Sequence, residues 1–195
     1  VLVTFATRGT VVLERGFGFP YDIVQRIEAQ RITGLAGVPT LWALLLQLDR
    51  LGGCDVSSVR YLTNAAAAMP SSFVAPLRAA FPGARLFLMH GQTECLRTTF
   101  LPPDQLDVRP GSVGRGMPGV ELWLEDEAGT RQPNGGVGEM IVRGDGVMVG
   151  YWNDPVATAA VVRPGRHPRE RELRTRDLFR TDADGWFTFV ARTDD

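Results

Sequence analysis

The sequence has no lysine: the 21 residues of its Lys+Arg total are all arginines. An arginine does not give up its proton, so any step that needs a neutral amine as base or nucleophile is excluded from this chain. Cysteine is almost as scarce. Cys54 and Cys95 lie far apart and in no metal-ligand spacing, which excludes a disulfide framework and leads us to expect a reducing, cytoplasmic setting. Long apolar runs are missing too, since "WALLLQL" and "AAAAM" fall well short of the roughly 18 to 20 residues that span a bilayer. No basic segment followed by an apolar one opens the chain, so no signal peptide is expected. The formal charge of -1 argues against a partner held by bulk electrostatics, such as duplex nucleic acid or an anionic membrane. Val1 stands in mid-pattern, as expected of an excised or incomplete segment.

With 44% hydrophobic and 22% charged residues over 195 positions, the chain can bury a core as one large domain or two small ones. The first half alternates short apolar runs with helical periods. "GTVVLERG" reads as a strand, and "FPYDIVQRIEAQRI" as a helix with Ile23, Ile27 and Ile32 near one face. "TGLAGV" is a strand, "PTLWALLLQLDRLG" a helix from Pro39 to Gly52, "VRYLTNAAAA" a strand, "MPSSFVAPLRAAF" a helix and "ARLFLMHG" a strand. Strands separated by helices of ten or more residues predict parallel pairing, with ligands collecting at the carboxyl ends of the strands. From about Pro110 the texture becomes dense in Gly and Pro. It predicts antiparallel strands with turns at "EAGT" and "PNGG", and a short helix "DPVATAAVV" capped by Asp154. "RPGRHPRERELR" then reads as a charged loop and "DLFRTDADGWFTFVAR" as a hairpin. The expected fold class is therefore α/β, a partly parallel sheet with flanking helices followed by an antiparallel β subdomain. The expected divisions are 1–109, 110–172 and 173–195.

The stretch "MHGQTECLR", Met89 to Arg97, puts five small or polar residues at the end of a strand. Taken alone it reads as a solvated loop. His90 and Glu94 as metal ligands would need a helix to share a face, and Gly91 opposes one. As a nucleotide site it makes chemical sense: Thr93 offers a hydroxyl, Glu94 a hard carboxylate for magnesium carried on phosphates, and Gly91 close approach to the backbone. "TNAAAAMP" offers either a surface for a flat ring or plain alanine packing. Asp177 in "RTRDLFRTDADGW" is either a ribose-binding acid or a turn residue. The glycines of "GEMIVRGDGVMVGYWNDP" read as architectural.

In their order, "GVPT", "RYLTNAAAAMP", "HGQTE", "RPGSVGRGMPGVELWL", "GEMIVRGDGVMVGYWNDP", "RTRDLFRTDADGWF" and "VARTDD" make the whole chain resemble the adenylate-forming ligases: acyl-CoA synthetases, nonribosomal-peptide adenylation domains and luciferases. The resemblance implies a large-domain portion of an enzyme that activates a carboxylic acid with ATP to an acyl-adenylate. The acyl group then passes to coenzyme A or to a phosphopantetheine, the latter on an acyl carrier protein. It implies that Thr93 and Glu94 are the catalytic pair meeting phosphate and Mg2+, with Glu94 the metal ligand. Ala66, Ala67, Ala68, His90 and Gly91 would lie along the adenine, Asp177 and Arg192 at the ribose, and Asp194 at the hinge to a smaller domain. An apolar acyl group is expected against "GVPTLW", the alanine segment, Met89 and Cys95. Acyl-thiol ligation fits the motifs better than amino-acid activation.

Four positions depart from the family pattern. His90 stands for the usual aromatic, Ala66 and Ala191 for glycines, and Arg176 for the glycine of a Thr-Gly-Asp motif. The resemblance also places a lysine-bearing phosphate loop before Val1 and a catalytic lysine after Asp195. The segment alone is therefore expected to adenylate nothing at an appreciable rate. The competing expectations are a degenerate member that binds nucleotide or a partner without chemistry, and an α/β domain with no nucleotide site.

Overall fold

A computed structural model describes residues 2–14, 16 and 18–193. The first described element is a short helix, α1 (Leu2–Ala6). Proline then opens each of the next two helices at its first turn, where its missing N–H costs nothing. Helix α2 (Pro20–Gln30) buries Ile23, Val24 and Ile27 and is closed by Arg31 in the left-handed conformation. Strand β1 (Gly34–Gly37) leads to α3 (Pro39–Leu46), which buries Leu41, Trp42 and Leu45. The helix expected as far as Gly52 stops at Leu46, because Arg50, Leu51 and Gly52 take positive φ and turn Leu51 back into the core. Strand β2 (Tyr61–Asn64) follows, then a 3-10 turn, Ser71–Phe73, and α4 (Val74–Ala80) in place of one longer helix.

Strand β3 (Arg85–Gln92) completes a parallel trio in which β2 pairs with both β1 and β3. The chain then reverses into β4 (Leu96–Leu101), a strand not foreseen in the sequence, antiparallel to β3. "HGQTE" therefore runs into a hairpin turn, not an open strand end. After β4 come β5 (Ser112–Gly116), β6 (Glu121–Glu125), β7 (Arg131–Gln132) and β8 (Val137–Arg143). Helix α5 (Pro155–Val161) begins at Asp154, whose carboxylate accepts the Ala157 amide at 2.8 Å, the cap expected from the sequence. The last strands are β9 (Val162–Pro164), β10 (Arg171–Thr181) and β11 (Phe187–Arg192).

Among the described residues these strands form one sheet in the order β1-β2-β3-β4-β5-β11-β10-β8-β6-β7, with β9 beside β10. The mixed α/β class, parallel then antiparallel, is the one the sequence predicts. Two expectations fail. "GTVVLERG" forms no strand over its described residues: no strand pairs beyond β1, and Val12 and Leu13 are exposed. "RPGRHPRERELR" is not all loop, because the end of β9 and the start of β10 fall within it. Its charges are absorbed by an ion-pair ladder in which Glu172 accepts from Arg143 and Arg163 at 2.9 and 2.8 Å. One core packs α2, α3 and α4 on the parallel strands, and a second lies under β6, β8, β10 and α5.

Candidate functional site

Three strands, β4, β5 and β11, separate β3 from β10 in the sheet order. At about 4.8 Å per strand, a flat sheet would hold β3 and β10 roughly 19 Å apart. The sheet instead curls, and the Asp177 carboxylate of β10 reaches the end of β3. Its Oδ2 lies 2.8 Å from His90 Nε2 and accepts from Gln92 Nε2 at 2.6 Å, while its Oδ1 accepts from Arg192 Nη1 at 3.2 Å. Since a carboxylate only accepts, His90 carries a proton on Nε2. The opposite ring nitrogen, Nδ1, meets Thr98 Oγ1 at 2.7 Å, and Phe179 packs edge-on against the ring.

A bulge presents Asp177. Between the pairings Arg174↔Ile141 and Leu178↔Glu139, β10 advances four residues while β8 advances two. The extra residues push the backbone out of the ladder, and their polar groups are satisfied locally. Thr175 Oγ1 donates to the Met140 carbonyl and accepts the Asp177 amide at 3.1 Å, and Glu139 accepts the Arg176 amide at 2.9 Å while pairing with Arg174. Glu139, Thr175 and Gln92 were given no role in the sequence. The one available signal was a glutamate directly before the apolar run "MIV" in "GEMIVRG".

The alanine segment faces this carboxylate across a cleft of about 220 Å³. Ala66, Ala67, Ala68, His90, Gly91, Asp177 and Arg192 all line it, with Met89 and Phe189. Gly91 lines the cleft, but a side chain there would collide with the Leu96 carbonyl of β4, so the hairpin itself requires glycine. A second cleft of about 220 Å³ adjoins the first, sharing Gln92 and Arg192 as walls. It contains Glu94, which accepts the Tyr151 hydroxyl at 2.7 Å, together with Arg174 and Arg176. That bond pushes the Tyr151 phenol above its ordinary range. Thr93 is exposed on the hairpin turn and is not among the residues lining either cleft. Asp194, the expected hinge, lies outside the described residues.

Two of the expected acyl-pocket residues are instead core. Trp42 is 0% exposed, and its indole donates to Asn64 Oδ1 at 2.9 Å; Cys95 is buried in the second core. Burial pushes the Cys95 thiol from 9.0 up to about 11. Below pH 9 the folded and unfolded states are both protonated there. Between pH 9 and 11 only the unfolded thiol ionises, so stability falls as pH rises, by about 1.4 kcal/mol per unit and about 3 kcal/mol in all. Urea midpoints from pH 8 to 11 are expected to drop more steeply for the parent than for Cys95→Ala. Parallel slopes would show that Cys95 is not the titrating group.

Ala66 and Arg176, which stand where the resemblance places glycine, both have left-handed backbones, with φ of 70° and 58°. Such a conformation costs an L-residue about 1–2 kcal/mol, partly offset by the extra chain entropy of glycine. Ala66→Gly is therefore expected to raise stability by about 0.5–1 kcal/mol in denaturant unfolding. A loss of stability would mean that the Ala66 methyl makes contacts worth more than the strain.

Among the described residues no helix is long and apolar enough to cross a membrane. The sequence model for "AMP-binding enzyme" matches residues 1–152. Feruloyl-CoA synthase of an Amycolatopsis species is 31% identical over 100% of this chain, which spans 38% of that protein. The amide bond synthetase McbA of Marinactinospora thermotolerans superposes with a TM-score of 0.87 at 34% identity, over 98% of this chain and 38% of that one. The anthranilate CoA ligase AuaEII, solved with anthranoyl-AMP, gives 0.84 at 26% identity, over 96% and 35%.

Proposed function

The chain belongs to the AMP-binding enzyme family, and from that membership we propose that it supplies the adenosine-holding part of an AMP-forming ligase joining a carboxylic acid to a thiol. The observation that carries this reading is the single cleft in which Ala66, Ala67, Ala68, His90, Gly91, Asp177 and Arg192 meet. A purine lies against the alanine segment. Asp177 Oδ1, engaged only by Arg192, turns toward a ribose hydroxyl, while His90 and Gln92 hold Oδ2 and fix the carboxylate plane. His90 thus positions Asp177 as well as walling the cleft.

Attack of a carboxylate on the α-phosphate brings two anions together and needs fixed positive charge. Arg192 stands at the junction of the two clefts and supplies part of it. Among the described residues no group of three or more His, Cys, Asp or Glu forms a metal cage. A single carboxylate suits a magnesium ion that arrives on the phosphates, and Glu94 would hold it, with Thr93 beside it on the turn. The acceptor is coenzyme A, by analogy with the named relative, or a carrier-protein phosphopantetheine. The free thiols of Cys54 and Cys95 fit a reducing, cytoplasmic setting.

Calorimetry on this chain is expected to show adenosine and AMP binding, and the reading fails if neither binds at millimolar concentration. Pyrophosphate exchange by the isolated chain is expected to be absent, since the chain carries no lysine. Turnover would overturn that part.

A further inference from the structure

We propose that Arg176 makes the cleft beside Glu94 a subsite for the phosphates of a bound nucleotide. This deepens the adenosine reading and depends on it for the identity of the ligand, though not for the existence of the anion site.

The backbone of Arg176 is pinned from both sides. Its amide donates to Glu139 Oε1 at 2.9 Å, and its carbonyl accepts from the amide and hydroxyl of Thr193 at 2.8 and 3.1 Å. These bonds hold it in the left-handed region, where an arginine is strained and a glycine would not be. Backbone strain at a large cationic residue is informative when the side chain makes no ion pair and no hydrogen bond within the fold. That is the case here. Among the described residues the guanidinium of Arg176 has no ion pair and no hydrogen bond, whereas its neighbours are engaged: Arg174 with Glu139, Arg192 with Asp177, Glu94 with Tyr151.

The position of this cation is what assigns it a ligand. Arg176 and Glu94 line the same cleft without pairing to each other, so one wall offers donors to phosphate oxygens and the other a carboxylate to a phosphate-bound cation. Gln92 and Arg192 are walls of both this cleft and the adenosine cleft. A chain of phosphates leaving a ribose at Asp177 passes between them into the space in front of Arg176. With no lysine in the sequence, a permanent positive side-chain charge here has to come from an arginine.

The test uses the 195-residue chain and two variants that keep the strained backbone. Arg176→Gln removes the charge and Arg176→Lys retains it. Dissociation constants are measured for adenosine, ATP, magnesium pyrophosphate and coenzyme A. Arg176→Gln is expected to weaken pyrophosphate and ATP about tenfold, the loss typical of one charge-assisted contact, with adenosine unchanged and Arg176→Lys near the parent. Pyrophosphate that does not bind, or binds equally to parent and Arg176→Gln, overturns the proposal, as does adenosine weakening in step with ATP. Coenzyme A losing affinity while ATP does not would overturn the assignment to the nucleotide. If adenosine fails to bind but pyrophosphate binds in an Arg176-dependent way, the subsite stands and the adenosine reading falls.

Discussion

Replacing Asp177 by alanine is expected to abolish adenosine binding and to destabilise the chain by about 3–5 kcal/mol, the usual result of removing one member of a buried charged network. Only 6% of the Asp177 side chain is exposed, and three donors converge on it: His90, Gln92 and Arg192. Alanine removes the carboxylate partner of the His90 ring and one of the two acceptors of the Gln92 amide. Gln92 is also tied to the Thr175 carbonyl, so it cannot swing out to water without losing a second bond. Asp177→Asn separates the stability effect from the binding effect. Its amide oxygen can still serve His90 and Gln92, while its amide nitrogen faces Arg192, so the expected cost is about 1–2 kcal/mol. Adenosine affinity falls sharply in both variants if Oδ1 is the ribose contact. Denaturant unfolding reads stability and calorimetry reads binding. An alanine variant that still binds adenosine like the parent would remove Asp177 from the site.

The parallel half of the fold was legible because its signals are local. Proline marks the first turn of α2 and α3, and the apolar runs of β1, β2 and β3 have helices between them. Strand β4 was not legible, because two of its three buried residues are threonines and only Leu101 is apolar. Thr98 and Thr99 are both fully buried, one against the His90 ring and the other donating to the Val113 carbonyl at 2.7 Å, so no hydrophobic alternation shows. The first residues of β10 were hidden by their charges, which the ion-pair ladder neutralises in the folded chain. "GTVVLERG" failed in the opposite direction. A β-branched run has strand propensity, but without a neighbouring strand that propensity has nothing to act on.

Within the candidate site, the alanine segment, His90, Asp177 and Arg192 could be named because of a resemblance of ordered motifs. Nothing local in "HGQTE" or "RTRDLF" says that residues 87 positions apart touch. That contact depends on the curl of the sheet and on the bulge in β10, both of them long-range consequences of strand pairing. The bulge is also why Gln92 and Glu139 were missed: each acts on a backbone whose path the sequence does not display. Of the expected acyl-pocket residues, Trp42 and Cys95 are core for a related reason. "GVPTLW" does lie near the alanine segment, but Trp42 reaches it from inside the core.

Trp42→Ala is expected to cost about 3–5 kcal/mol, as large-to-small changes of buried aromatics do, and to loosen the alanine wall as well. The indole occupies space left open by Gly37, where any side chain would run into its ring, and its N–H donates to Asn64. Asn64 is 2% exposed, and its amide nitrogen donates to the Ala67 carbonyl at 3.0 Å. A chain of two hydrogen bonds therefore runs from a core tryptophan to the loop that carries Ala66 in its strained conformation. Trp42→Phe tests the chain apart from the packing. It keeps most of the ring but deletes the donor, leaving the buried Asn64 oxygen unpaired, at an expected cost of about 1–3 kcal/mol. Asn64→Leu removes both bonds and is expected to weaken adenosine binding even though residue 64 is not a wall of the cleft. The double variant Trp42→Phe/Asn64→Leu should lose less stability than the two single losses added together, because each change breaks the same bond. Full additivity, with adenosine affinity untouched in Asn64→Leu, would show that the alanine loop holds its shape without them.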